Sequence, residues 1–203
     1  MIFTPRIDEA IKLAARLHRS HVRNDYEETP YVSHLFSVAW ILSQVTNDED
    51  SIIAGLMHDS LEDVPKYTYE KLVEDCGVRV AEIVQQVTEP LDPNKESGDQ
   101  MPWLERKEAY LRALRNGGIE SALVSVADKI HNTDSFLRGM EKEGGLLATR
   151  FSSSARNRLW FHEQVLIVAI EKLGIDNSLV KEFSLKTEMF KDLISKMEQD
   201  SHV

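Results

Sequence analysis

Residues 55 to 64 read GLMHDSLEDV and follow the apolar run SIIA. His58, Asp59, Glu62 and Asp63 place four titratable groups within six residues, at the end of a segment patterned for burial. Charges there are costly unless something neutralises them. Two more polar residues share this setting. Asp128 follows Leu123, Val124, Val126 and Ala127, and a carboxylate buried in an apolar helix needs a partner. His34 stands one turn before Val38 in YVSHLFSVAWILSQV. Singly, each has an ordinary explanation: a capping or core histidine for His34, an ion pair with Lys129 for Asp128. As a set, three apolar segments each carrying a polar group inward point to convergence. Two imidazoles and two carboxylates can hold a divalent cation and leave positions open for water. Mixed nitrogen and oxygen donors suit Mn, Fe, Co or Zn better than Ca.

The elements that must position these residues are helices. In IDEAIKLAARLHRSH, residues Ile7, Ala10, Ile11, Ala14 and Leu17 form one apolar stripe at helical spacing. Leu35, Val38, Ala39 and Leu42 do the same in the second segment. DEDSIIAGLMHDSLEDV reads as one helix with acidic residues at its start, where the helix dipole favours them. Pro65 stops it near Asp63. Within an unbroken helix, residues four apart share a face, which puts Glu62 over His58 and Asp63 over Asp59. Thr68 and Gly77 bracket a short helix as cap and stop. Further helical segments follow at 78–90, 103–116, 119–140, 154–174 and 177–199. The stretch 92–102, LDPNKESGDQMP with its flank, reads as a loop. No strand alternation, repeat or low-complexity tract is evident. The expectation is an all-α, single-domain bundle of about eight to ten helices over residues 1–203, with the helices of 155–200 packing on the rest or on a second copy in a homo-oligomer.

Bulk properties narrow the partners. Net charge is 24 − 34 = −10, which opposes nucleic acid and anionic membrane surfaces. No apolar run approaches the roughly 20 residues of a membrane span. The N-terminal MIFTPRIDEAIKLAARL lacks the apolar core of a signal peptide. The one cysteine, Cys76, excludes an intrachain disulfide and a Cys-rich zinc site, and suits a reducing cytoplasm.

PYVSH, AGLMHDSLEDV and VADKIHN together resemble the HD superfamily of metal-dependent phosphohydrolases. More closely they resemble the hydrolase domain of the Rel/Spo stringent-response enzymes and the stand-alone small alarmone hydrolases, over roughly residues 5 to 165. The resemblance implies an HD-type helical bundle that removes 3′-pyrophosphate from ppGpp-like nucleotides with a Mn ion and its activated water. It makes His34, His58, Asp59 and Asp128 the metal ligands, and Glu62 and Asp63 the acids that activate or place the water. It assigns substrate contacts to Arg23 and Asn132 and, by a looser match in SARNRLWF, to Arg156 and Trp160. Tyr31 reads as structural, His18 and His21 as exposed, and His131 as off the Asp128–Asn132 line. Two departures bear on the substrate. Ser125-Val126 stand where a lysine is usual, and Asn24 where a second basic residue follows the arginine. A different phosphorylated nucleotide is therefore the alternative: a nucleoside monophosphate, an adenine alarmone or NADPH. Zn, Fe or Co could fill the same site. A non-catalytic nucleotide-binding module is the third reading, but such a chain should have lost a ligand or the acidic pair.

Overall fold

The computed structural model describes residues 3–25, 27–90, 102–143 and 155–200. Among them are ten helices: α1 (Pro5–Leu17), α2 (Val32–Ser43), α3 (Glu49–Met57), α4 (Ser60–Asp63), α5 (Tyr69–Cys76), α6 (Val78–Gln86), α7 (Trp103–Asn116), α8 (Ile119–Glu143), α9 (Ala155–Leu173) and α10 (Ser178–Asp200). The all-α expectation holds for the described residues. Their only β-type pairing is one bridge between Val22 and Pro30. The loop read at 92–102 lies, except for Pro102, outside the described residues. None of the described helices is long and apolar enough to cross a membrane.

Local chemistry sets the boundaries. Thr4 caps α1 by accepting from the Ile7 amide at 3.2 Å. Asp48 caps α3 through the Ser51 amide, and Thr68 caps α5 through the Lys71 amide. Each satisfies a donor that the helix leaves open. Gly77, at φ +95°, ends α5 in a conformation that only glycine adopts freely.

α3 is buried from Ser51 through Met57. It packs against α1, α2, α6 and α8. Leu35, Val38 and Leu42 of α2 are fully buried; each such side chain contributes about 1.5–3 kcal/mol. α8 is the other internal element, and α9 and α10 pack on it. The crossing of α2 and α3 is close at Gly55. A Cβ there would overlap Leu42 Cδ1 and sit 3.5 Å from Val38 Cγ1. Because Leu42 is itself fully buried, Gly55→Ala is expected to lower stability by about 1–3 kcal/mol, read as a lower urea midpoint at unchanged m-value.

One expectation about this region is corrected. The helix does not run unbroken to Asp63. It ends at Met57, and His58 and Asp59 form a turn. Asp59 sits at φ −92°, ψ −1°, a sparsely populated conformation common at turns and active sites. The His58 ring turns back to the Gly55 carbonyl, 2.9 Å from Nδ1. The Asp59 carbonyl then starts α4 by accepting from the amides of Glu62 and Asp63. As expected, α4 stops at Asp63, before Pro65.

Candidate metal centre and nucleotide cavity

Four side chains from α2, the α3–α4 turn and α8 meet at one point. His34 Nε2 lies 3.3 Å from His58 Nε2, 3.2 Å from Asp128 Oδ1 and 3.6 Å from Asp59 Oδ2. His58 Nε2 lies 3.1 Å from Asp59 Oδ2 and 3.6 Å from Asp128 Oδ1. The separations among His34, His58 and Asp59 fit donors around one cation at about 2.0–2.2 Å, and Asp128 Oδ1 adjoins the two histidines. His34, His58 and Asp128 are buried.

The outer ring nitrogens orient the set. His58 Nδ1 faces the Gly55 carbonyl, so it carries a proton there and Nε2 is the nitrogen turned inward, the one a cation would take. His34 Nδ1 stands 2.7 Å from His131 Nδ1. Burial pushes both of these imidazoles down, His131 to about 4, so both are neutral at pH 7. A proton on His34 Nδ1 then donates to His131 and leaves Nε2 free to ligate. His131 accordingly stands behind a ligand rather than among the four. His131→Leu is expected to weaken Mn2+ binding by about 10–100-fold, and His131→Gln, which restores an acceptor, to recover most of it. Equilibrium dialysis measures both.

The electrostatics suit a cation. Burial works against charging His58, yet Asp59 and Asp128 raise its pKa well above the ordinary value. Burial likewise works against both carboxylates. His58 nevertheless depresses Asp59, and Lys129 with the two histidines depresses Asp128. Two carboxylates thus stay ionised in a buried cluster, with His58 and Lys129 as the balancing groups.

Glu62 and Asp63, neighbours on α4, point about 100° apart and so part company. Glu62 lines a small chamber of about 50 Å³ together with His58, Asp59 and Asp128. It also lines the large cavity described below. Its Oε1 accepts from the Glu89 amide at 2.6 Å. Burial, then the charge of Asp59, raises its pKa to about 8. Asp63 is exposed and lies beside His18 and His21. Tyr31, read as structural, also donates its hydroxyl to Asp59 Oδ2 at 2.7 Å.

A cavity of about 740 Å³ adjoins this cluster, lined by Glu62, Lys129 and His131 among others. That size suits a small-molecule ligand. Arg23 and Asn132 both line it and are bonded to each other at 2.8 Å. Asn132 in turn donates to Asp128. The hairpin-like loop that carries Arg23 is closed by its amide on the Thr29 carbonyl at 2.7 Å. The Arg156 and Trp160 assignments do not fit the geometry. Arg156 is 77% exposed and paired with Glu198, and Trp160 sits behind Trp103, ring to ring at 6.0 Å. Two positions later on the same helix, Arg158 and His162 line the cavity. Arg106 and Lys107 of α7 complete a cationic wall. Burial lowers the Arg158 guanidinium to about 10 and also lowers Lys107, while Arg106 Nε is buried with no hydrogen-bond partner. Ser125, where a cation was missed, is buried on α8 and bonded to the Tyr110 hydroxyl at 2.7 Å. Positive charge reaches the cavity from α7, α8 and α9 instead.

With this geometry in hand, comparison with known proteins decides the family. Residues 10–146, well over half of the chain, match the HD domain family. The chain belongs to the HD domain family. Human MESH1, named as a guanosine-3′,5′-bis(diphosphate) 3′-pyrophosphohydrolase, is 33% identical over 126 residues, covering 61% of this chain and 65% of MESH1. A Haemophilus influenzae protein of the same enzyme name is 36% identical over 120 residues, covering 59% of this chain and 17% of that one. The chain thus spans less than two thirds of the length of the relatives it matches. A solved metazoan ortholog of SpoT, described as hydrolysing ppGpp, shares the fold at a TM-score of 0.72 and 23% identity, covering 94% of this chain and 96% of that one. The family and the His/Asp groups together indicate a divalent metal site in this chain.

Proposed function

We propose that this chain, read as one HD hydrolase domain over residues 1–203, removes 3′-pyrophosphate from ppGpp in the cytoplasm. The observation that carries the reading is the convergence of His34, His58, Asp59 and Asp128 beside a cavity walled by arginine and lysine. The relatives' enzyme names supply the substrate. We assign the four residues as ligands of a divalent cation, Mn in this reading, with Zn, Fe or Co as alternatives the same donors accept. A cation held there lowers the pKa of its water and polarises a phosphoryl oxygen. Glu62, between chamber and cavity, takes a proton or orients the water. The Tyr31 hydroxyl holds Asp59. Arg23 and Asn132 meet the nucleoside, and Arg106, Lys107 and Arg158 the phosphates, where a guanidinium offers paired donors.

Arg158→Ala is expected to raise KM for ppGpp about tenfold or more, the loss of one or two charge-assisted hydrogen bonds, with the metal content of the protein unchanged. The substrate itself is tested by incubating the purified chain with Mn2+ and ppGpp and following products by 31P NMR. GDP and pyrophosphate in equal amounts are expected. Asn24, neutral and lining the cavity, favours a less highly charged nucleotide. Turnover of a nucleoside monophosphate or NADPH, with none of ppGpp, would overturn the substrate while keeping the reaction class.

A further inference from the structure

A second group of donors adjoins the metal centre. His18, at the C-terminus of α1, is buried, and His21 follows three residues later. Their Nδ1 atoms are 3.0 Å apart. Asp63, the last residue of α4, brings a carboxylate oxygen within 4.8 Å of a ring nitrogen of each. The backbone braces the arrangement. The His18 amide bonds to the Ala14 carbonyl, the His21 amide to the His18 carbonyl, and the Tyr31 amide to the His21 carbonyl, at 2.9–3.0 Å. The Tyr31 ring stacks on His18, centroids 5.3 Å apart and tilted by 16°.

We propose that His18, His21 and Asp63 form a second divalent-cation site, separate from the His34–His58–Asp59–Asp128 centre and selective for a late first-row cation of the zinc or cobalt kind. Two imidazoles and one carboxylate are borderline-soft donors, which disfavours Mg and Ca. Burial and then the charge of Asp59 raise the Asp63 carboxyl to about 6, so its anion gains from a cation bound beside it. Burial keeps His18 neutral and ready to ligate, at about 4. The site is the weaker of the two. Ligation through Nδ1 moves the His18 proton to Nε2, which is buried without a partner, whereas His34 and His58 each have their outer nitrogen satisfied. Loss of that outer support costs about 10–100-fold in affinity. Tyr31 links the two centres, its ring on His18 and its hydroxyl on Asp59.

The test is a Co2+ titration of the full chain, stripped of metal, followed by visible absorption and equilibrium dialysis. Wild type should take two equivalents, the second about 10–100-fold more weakly. His21→Gln and Asp63→Ser should each lose the weak equivalent and keep the tight one, which also reports that they are folded. Asp59→Asn should lose the tight equivalent and keep the weak one. A single equivalent in wild type, or a second equivalent that survives both His21→Gln and Asp63→Ser, overturns the proposal.

Discussion

Asp59→Ala should leave a folded chain that no longer holds a stoichiometric Mn ion and hydrolyses ppGpp at least about 10³-fold more slowly. The magnitude follows from the several kcal/mol that a Lewis acid contributes to charge stabilisation in the transition state. Asp59 is one of two carboxylates in the four-donor cluster, 3.1 Å from His58 Nε2 and 3.6 Å from His34 Nε2. Removing it halves the anionic charge that a divalent cation meets. It also frees the Tyr31 hydroxyl, so the remaining donors lose an anchor on one side. The variant gives up the pairing with His58 that holds Asp59 ionised, so it should fold with reduced stability. Metal content after dialysis, with circular dichroism to confirm folding, separates loss of the ion from loss of the protein. Full metal content with full activity in this variant would place the centre elsewhere.

Glu62→Gln should do the opposite in one respect: the metal stays and turnover goes. Glutamine is isosteric and its Oε1 can still accept from the Glu89 amide, so the local structure is kept. What it cannot do is take up a proton. Positioned acids and bases contribute about 10²–10⁴-fold, so kcat should fall by that range while KM changes little. Glu62 is the member of the acidic pair that lines both the small chamber at the ligands and the large cavity. A kcat within a few-fold of wild type, at normal metal content, would remove Glu62 from the chemistry.

The helices and the four donors were legible because both follow from periodicity: apolar stripes at three- and four-residue spacing, interrupted by isolated charges. The break at His58–Asp59 was not. Ile52 through Met57 continue the apolar pattern up to it, and only the backbone angles at Asp59 and the turn of His58 to Gly55 reveal it. Beyond that break Glu62 lies at the cavity and Asp63 beside His18 and His21, which no helical wheel drawn through it can show. His18 was misread as exposed although it continues the stripe, four residues after Ala14. The same signal would have found Arg158 and Lys107. Arg158 precedes Phe161 and Val165 on the buried face of α9, and Lys107 precedes Tyr110, Leu111 and Leu114 on that of α7. A cation one turn before a run of buried residues sits at the rim of whatever that run faces. Arg156, off that face, pairs with Glu198 at the surface. The Arg23–Asn132 bond spans 109 positions and depends on the packing of a loop against α8; no local pattern encodes it.

The most direct measurement is anomalous diffraction at the manganese edge from crystals of the full chain grown with Mn2+. A peak bounded by His34 Nε2, His58 Nε2, Asp59 Oδ2 and Asp128 Oδ1 is expected. Crystals with no peak among these four atoms, at Mn2+ concentrations that support turnover, would contradict it.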